Sequence, residues 1–289
     1  MPTTKSILRY PGGKTQLSKF IKHTIELNKI VHPVYCEPFC GGSGIALNLL
    51  LSGTVESIIL NDFDPAIYSI WNAAIHEPDR FIDKIKSTPV TIDEWHKQNS
   101  IYKERRVDSR YSFELAFAAF FLNRTNRSGI ITGGPIGGFS QSSKYRLDCR
   151  FNPSALIQKI EEIAKYSEHI YLYSKDGIRF IRDVIPSYSG SNLFIYFDPP
   201  YYKQGQYLYK NGLSDEYHQK LSAAIQDLTD YKWITTYDDV PRIRDLYSRS
   251  NGFTYNLQYT ANRKRMEREL LFVGNTQIES FDKVNLCPI

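Results

Sequence analysis

The sequence predicts an α/β protein with a mixed, mainly parallel sheet that is interrupted by a mostly helical insertion. Short apolar runs alternate with helical patterns on both sides of the chain centre, as in parallel sheets. From about His76 to Arg127 the pattern is helical and charged, with no convincing strand. Because 289 residues are many for one domain and few for two, one core with an insertion is the simplest organisation.

The individual elements follow from apolar periodicity and from turn residues. Glycine-rich turns and an Asn-Asp pair end the first strands, and Pro65 is well suited to open a helix. The last two strands suit antiparallel pairing through the charged link Asn262–Glu269. The predicted strands are Val34–Glu37, Ser57–Leu60, His169–Tyr173, Leu193–Phe197, Lys232–Thr236, Thr254–Thr260 and Leu270–Gly274, and the clearest helix is Ile45–Leu51. We therefore expect one α/β domain formed by residues 1–65 and 158–289, with a mostly helical subdomain inserted at 66–157.

Composition sets the broad class of the protein. A hydrophobic fraction of 42% supports a sizeable core, and a net charge of +5 permits a polyanionic partner without requiring one. None of the four cysteines has a zinc-site spacing, so we expect no metal. The N-terminus lacks the apolar stretch of a signal peptide, and no apolar run is long enough to span a bilayer. These features predict a soluble, cytoplasmic protein.

A glycine-rich turn follows the first predicted strand and is a candidate ligand site. Gly42 and Gly44 would let the backbone approach a ligand closely, and Asp62 ends the next strand, where a carboxylate can accept ribose hydroxyls. Glu37 and Phe39 precede the turn and would face the same ligand. A dinucleotide fingerprint is excluded because Leu47 occupies its third glycine position. A tight turn with a capping aspartate remains an alternative.

A second glycine turn, Tyr10-Pro11-Gly12-Gly13-Lys14, lies near the N-terminus. It resembles half of a phosphate-binding loop, but Leu8 stands where that loop needs glycine, which excludes nucleoside triphosphate binding. Tyr10 could stack on an adenine or a sulfonium, and Lys14 could hold a carboxylate. The start of an N-terminal helix explains the segment equally well.

The tetrapeptide Asp198-Pro199-Pro200-Tyr201 follows a strand and carries the strongest chemical signal. An exocyclic amine of a base is a poor nucleophile because its lone pair is delocalised into the ring. Asp198 and the carbonyl of Pro199 can accept its two hydrogens, the prolines hold these acceptors rigidly, and Tyr201 can stack on the base. A proline turn with Tyr201 packed in the core is the alternative.

These motifs, in this order, resemble those of Dam-like DNA adenine methyltransferases, over nearly the whole chain. The resemblance implies a Rossmann-like, S-adenosylmethionine (AdoMet)-dependent fold, an adenine flipped out of double-stranded DNA, and a target-recognition insertion. The catalytic residues implied are Asp198, Pro199, Pro200 and Tyr201. The cofactor-binding residues implied are Tyr10, Gly12, Lys14, Glu37, Phe39, Gly41, Gly42, Gly44, Asp62, Asp176 and Asp198.

The recognition segment departs from that family, so its DNA sequence cannot be assumed. Asn126-Arg127-Ser128-Gly129 stands where relatives have an aromatic residue and Asn-Gly, and Tyr237-Asp238-Asp239 lacks the usual Asn-His. Basic residues near the recognition loop and the last hairpin are candidate DNA contacts, whereas the Lys103–Arg110 cluster reads as a solvated helix face. The predicted DNA-binding residues are Asn123, Arg124, Asn126, Arg127, Lys144, Arg146, Arg263 and Lys264.

Three other functions stay open at this stage. The chemistry of the tetrapeptide also suits an adenine in RNA or the exocyclic amine of cytosine. A catalytically silent relative that only binds DNA would have the same fold. A restriction endonuclease that shares the DNA site without forming a stable complex is a possible functional partner. The oligomeric state is not determined by the sequence.

Overall fold

A computed structural model describes residues 4–10, 12–107, 111–202, 213–259 and 265–289. Its helices are α1 (Ser18–Leu27), α2 (Gly44–Leu51), α3 (Pro65–His76), α4 (Pro78–Ser87), α5 (Ile92–Arg105), α6 (Phe113–Thr125), α7 (Pro153–Ala164), α8 (Gly177–Asp183), α9 (Asp215–Gln226) and α10 (Pro241–Leu246). Its strands are β1 (Val34–Glu37), β2 (Ser57–Asn61), β3 (Ile170–Tyr173), β4 (Leu193–Phe197), β5 (Lys232–Asp238), β6 (Asn251–Tyr259), β7 (Arg265–Gly274) and β8 (Cys287–Pro288). Each predicted strand corresponds to one of β1 to β7, and the helix after the glycine turn is confirmed, whereas β8 was not predicted.

The described strands form one sheet in the order β3-β2-β1-β4-β5-β7-β6-β8. The first five strands in this order are parallel. β7 pairs antiparallel with β5, β6 pairs antiparallel with β7, and β8 pairs antiparallel with β6. This arrangement confirms the mixed α/β sheet predicted from the sequence. The carboxyl ends of β1, β2, β3, β4 and β5 therefore meet at one edge, which is where open α/β sheets place ligands.

Helices cover both faces of the sheet and bury its alternating side chains. Tyr35, Leu60 and Phe194 face a large apolar core that α1 to α7 share. Cys36 and Ile195, which alternate with them, face a smaller core formed with α8, α9 and α10. Strands that are buried on both faces have continuous apolar sequences, and the apolar run 193–197 forms such a strand at the centre of the sheet.

Side-chain caps define where several helices begin. Asp64 accepts a hydrogen bond from the backbone N–H of Ala66, and Pro65 occupies the first helical position of α3, as its missing N–H allows. Asp176 accepts from the N–H groups of Ile178 and Arg179 at the start of α8. These caps fix where the chain leaves β2 and β3, at the ligand edge of the sheet.

The last hairpin differs from the prediction. The charged segment 262–269 was expected to link two strands, but β7 already begins at Arg265 and pairs with β6 as far as Tyr259. Arg268 is exposed on this strand, whereas the neighbouring Glu269 is buried, so charged residues alternate between the surface and the interior here. The linking residues 260–264 lie outside the described part.

The predicted inserted segment, residues 66–157, does not have a separate hydrophobic core in the described chain. Trp71 of α3 and Phe120 of α6 belong to the same apolar cluster as Phe194 of β4. The predicted boundaries of the insertion therefore do not separate two hydrophobic cores, and the division into a catalytic domain and an insertion stays a prediction. None of the helices in the described ranges is both long and apolar enough to cross a membrane.

Candidate active site

The N-terminal segment lies directly on the glycine turn between β1 and α2. A Cβ atom at Gly41, where φ is +43°, would approach the ring of Tyr10 to 2.7 Å, and one at Gly42 would approach its Cβ at 2.7 Å. At Gly44 a Cβ atom would lie 2.2 Å from the hydroxyl of Thr15. The close approach expected for a ligand at these glycines is therefore made by the protein itself. Gly12, at φ +77°, is exposed, and a Cβ atom added there would lie within 4 Å of no atom among the described residues.

Two predicted cofactor carboxylates hold the turn in place. The buried Glu37 accepts hydrogen bonds from the hydroxyl of Tyr35 at 3.0 Å and from the N–H of Ala46 at 3.2 Å. Asp62 accepts from the N–H of Gly41 at 2.9 Å. Burial raises the pKa of Glu37 to about 8, and burial together with Asp64 raises the pKa of Asp62 to about 7. A ligand that donates hydrogen bonds to these carboxylates would favour their ionised forms.

A cavity of about 600 Å³ opens between the segments that follow β2 and β3. It is lined by Phe63, which is 70% exposed, and by Asp176. Asp176 also caps α8 and accepts a hydrogen bond from the hydroxyl of Tyr217 at 2.7 Å. Phe39 packs over Gly177, where a Cβ atom would lie 2.5 Å from its ring. Sequence reasoning missed Phe63, although its place directly after Asp62 was a usable signal.

Asp198 lies at the carboxyl end of β4 and is bonded to two side chains. The ammonium of Lys14 is 3.0 Å from its Oδ1 atom, and the hydroxyl of Thr236 donates to the same oxygen at 3.1 Å. Burial raises the pKa of Asp198, and the neighbouring Lys14 opposes part of that rise. Lys14 is paired here with carboxylates of the protein, and its contact with a carboxylate of the cofactor stays a prediction.

Glu269 is a buried carboxylate on β7 that sequence reasoning missed. Its Oε1 atom accepts from the hydroxyl of Tyr201 at 2.6 Å, and its Oε2 atom accepts from the hydroxyl of Tyr255 at 2.7 Å. Lys14 is 3.7 Å from the same Oε2 atom and also contacts the hydroxyl of Tyr201. The usable signal was a glutamate next to the buried apolar run of residues 270–273.

A side chain of β5 holds the residue that follows the tetrapeptide. Asp238, at the end of β5, accepts from the N–H of Tyr202 at 3.0 Å. The residues that differ from the Dam-like pattern at 237–239 therefore still support this wall of the site. Pro199 is buried, and Tyr201 is half-buried. The arrangement supplies a rigid acceptor, Asp198, beside a partly accessible aromatic ring.

The sequence matches the D12 class N6 adenine-specific DNA methyltransferase family over residues 10–265. The chain belongs to this family. The match runs from Tyr10 through the tetrapeptide to the start of β7, so it includes both glycine turns and Asp198.

A curated relative and solved structures extend the comparison. The chain is similar to the Type II methyltransferase M.MjaIII of Methanocaldococcus jannaschii, with 25% identity over 209 residues, 68% of this chain and 69% of the relative. The rRNA methyltransferase aviRa from Streptomyces viridochromogenes aligns over 92% of this chain and 86% of its own, at 11% identity and a TM-score of 0.41. A putative RNA methyltransferase from Pyrococcus horikoshii aligns over 91% and 83%, at 8% identity and a TM-score of 0.41.

Two asparagines predicted to contact DNA lie inside this methyltransferase. Asn123 donates to the carbonyls of Arg9 and Gly129 and accepts from the N–H of Arg9. Asn126 accepts from the indole N–H of Trp95 at 2.6 Å and donates to two loop carbonyls. Both amides are buried and bonded within the protein, where they hold the loop that follows α6 onto that helix and onto the N-terminal segment. Their contact with DNA stays a prediction.

The predicted basic DNA contacts divide into two groups. Arg124 is half-buried and donates to the carbonyl of Arg150; burial, Arg9 and Arg150 lower its pKa to about 10. Arg127, Lys144 and Arg146 are exposed on the loop. Arg263 and Lys264 lie outside the described residues, as does Arg110 of the first basic cluster.

Proposed function

We propose that this methyltransferase transfers the methyl group of AdoMet to the exocyclic amine of an adenine flipped out of double-stranded DNA. The observation that carries the proposal is Asp198, a half-buried acceptor at the carboxyl end of β4 that Lys14 and Thr236 hold in place. The match to adenine-specific DNA methyltransferases supports the choice of base.

The residues around the cavity fit AdoMet in their chemistry. Asp62 offers carboxylate oxygens to ribose hydroxyls, and the exposed ring of Phe63 offers a face for an adenine. Asp176 lines the same cavity and keeps acceptor capacity beyond its bonds to α8 and Tyr217. Tyr10, Lys14, Glu37 and Phe39 would form the part nearer the tetrapeptide. AdoMet, when bound, supplies the electrophilic methyl group.

The tetrapeptide would prepare the amine for attack. The carboxylate of Asp198 and the carbonyl of Pro199 accept the two amine hydrogens and so raise electron density on the nitrogen. Burial raises the pKa of Asp198, which makes it a stronger acceptor, while Lys14 favours the ionised form that accepts. The ring of Tyr201 stacks on the base and aligns it, which lowers the entropic part of the barrier.

The exposed basic residues of the recognition loop would bind the duplex. Lys144 and Arg146 are suited to phosphates, and Arg127 to a base edge. Base flipping is required because the amine is otherwise paired inside the helix. By analogy with the Type II relative, we propose that the enzyme protects the site of a restriction endonuclease without forming a stable complex with it.

Asp198→Asn tests the proposal because it keeps the size of the side chain and removes its charge. We expect the single-turnover rate on duplex DNA to fall by at least about 100-fold, with AdoMet affinity changed only a few-fold. Asp230→Asn, on an exposed loop residue, is the matched control. Mass spectrometry of the digested DNA identifies the methylated base.

Each alternative has its own outcome in that assay. Methylcytosine would contradict the choice of base, and preferential methylation of an RNA competitor would contradict the choice of nucleic acid. A wild-type protein that binds DNA but not AdoMet, measured by calorimetry, would support a silent relative. Asp198→Asn with the wild-type rate would remove Asp198 from the mechanism.

A further inference from the structure

Glu269 connects three parts of the chain that meet at the tetrapeptide. It is 1% exposed, and β7 places it opposite Asp238 of β5 and Tyr255 of β6 in the sheet register. Its two oxygens face different partners, Tyr201 through Oε1 and Tyr255 with Lys14 through Oε2. A carboxylate buried this deeply destabilises the fold unless it is paired, and its contacts with Tyr201, Tyr255 and Lys14 supply that pairing.

The geometry points to Glu269 as a positioning residue that holds Tyr201 and Lys14 in register with Asp198, and this inference rests on the proposed function. The ring of Tyr201 can align a base only if its tilt is fixed, and the bond from its hydroxyl to Glu269 fixes the far end of the ring. Lys14 is shared between Asp198 and Glu269, so its ammonium cannot move toward one without leaving the other.

Tyr255 completes this arrangement from the neighbouring strand. Its hydroxyl, on a residue that is 2% exposed, donates to the Oε2 atom that also faces Lys14. The rotation of the Glu269 carboxylate is thereby restricted, and each oxygen keeps its own partner. The antiparallel hairpin of β6 and β7 thus contributes to the site, in addition to the parallel strands that carry the glycine turn and the tetrapeptide.

The charge of Glu269 has a consequence for Asp198 that a purely structural contact would not have. The groups facing Asp198 are Lys14 from the N-terminal segment, Glu37 from β1, Tyr196 from β4, Thr236 from β5 and Glu269 from β7. Glu269 raises the pKa of Asp198, whereas Lys14 lowers it. Removing the charge of Glu269 leaves Lys14 paired with Asp198 alone, which should keep Asp198 ionised to a lower pH.

The test uses full-length Glu269→Gln and single-turnover methylation of duplex DNA with saturating AdoMet across pH. We expect the rate at pH 8 to fall by roughly 10- to 100-fold through loss of alignment, with the acid limb of the profile moved to lower pH. AdoMet affinity should stay within a few-fold of wild type. The exposed Glu279→Gln is the matched control.

Further variants separate positioning from general destabilisation. Tyr201→Phe should reproduce part of the rate loss, and the double variant Glu269→Gln/Tyr201→Phe should be no slower than the slower single variant. Tyr255→Phe removes one hydrogen bond to Glu269 and leaves the contacts of Glu269 with Tyr201 and Lys14 in place. It tests the arrangement if Glu269→Gln does not fold, and it should slow methyl transfer several-fold.

The outcomes are distinguishable. If the wild type is active and Glu269→Gln has the same rate and the same acid limb, the positioning role is overturned and the proposed function is left intact. Fully additive effects of Glu269→Gln and Tyr201→Phe would also overturn it. A wild-type protein that methylates no DNA would overturn the proposed function and this inference with it.

Discussion

Three carboxyl groups near the carboxyl ends of the parallel strands have pKa values above their ordinary range. Glu37, Asp62 and Asp198 all have a raised pKa, and burial is the largest cause for each. Such groups gather where a ligand or a reaction makes use of them, because each costs folding free energy when it ionises. Glu37 gives the clearest test, since its pKa of about 8 lies far from the ordinary 4.5.

Glu37→Gln should change how the stability of the cofactor-free protein depends on pH. A carboxyl whose pKa is raised on folding contributes stability below pH 4.5 that is lost as pH rises through about 8. Glutamine does not titrate. Between pH 4.5 and about pH 8, the free energy of unfolding of the wild type should therefore fall relative to that of the variant, by up to about 1.4 kcal/mol per pH unit.

Urea unfolding of both proteins between pH 5 and pH 9 measures this difference. A constant difference across that range would show that Glu37 does not titrate in the folded protein as its burial indicates. Above pH 9 the difference should level off, because the group is then ionised in both the folded and the unfolded states.

At the scale of elements, the glycine turn and the N-terminal segment form one packed unit. Tyr10 lies on Gly41 and Gly42, Thr15 lies on Gly44, and Lys14 between them reaches Asp198. The glycines are therefore required for a protein contact as well as for any ligand. Sequence reasoning found both turns but assigned the space above the glycines to the ligand, because a sequence does not show which segment folds over which.

Gly44→Ala should destabilise this unit, and Thr15→Ala should rescue it. The added Cβ atom would lie 2.2 Å from the hydroxyl of Thr15 but 3.4 Å from its Cβ atom, which alanine retains. We expect Gly44→Ala to cost about 1–3 kcal/mol of unfolding free energy and to weaken AdoMet binding. The double variant should recover most of both losses.

Thermal unfolding and calorimetric titration with AdoMet measure the two effects. Thr15→Ala alone is the control, and it should cost less than Gly44→Ala. If the double variant were as unstable as the sum of the singles, the contact between Thr15 and Gly44 would not be the cause.

At the scale of the whole molecule, the proposed recognition subdomain and the catalytic part share one hydrophobic core. Phe120 of α6 is fully buried and packs against Phe81, with ring centroids 4.9 Å apart, and against Phe151. These rings belong to the same cluster as β1 and β4. A shared core couples the two parts, so they should unfold together.

Phe120→Ala should lower the stability of the entire described fold by about 3–5 kcal/mol, because it leaves a large cavity in that core. Differential scanning calorimetry should give one transition in wild type and in the variant, shifted to lower temperature. Two transitions, of which only one moves with Phe120→Ala, would show that residues 66–157 fold as an independent domain.

The sequence by itself determined the mixed α/β class, seven of the eight described strands and the family to which the chain belongs. Apolar runs such as 193–197 form strands wherever both faces are covered, and Asp198-Pro199-Pro200-Tyr201 is a local motif whose acceptors follow one another along the chain. The family resemblance of these motifs placed the chain correctly, and the family match confirms it.

Only the tertiary structure decided which side chains are available and which are already bonded. Asn123 and Asn126 appear as polar residues in a recognition segment, yet their amides hold the loop from inside. Glu269 lies 68 residues from Tyr201 in sequence and meets it through the register of β7 against β5. Burial and long-range pairing arise when distant elements pack together, and local residue patterns do not encode them.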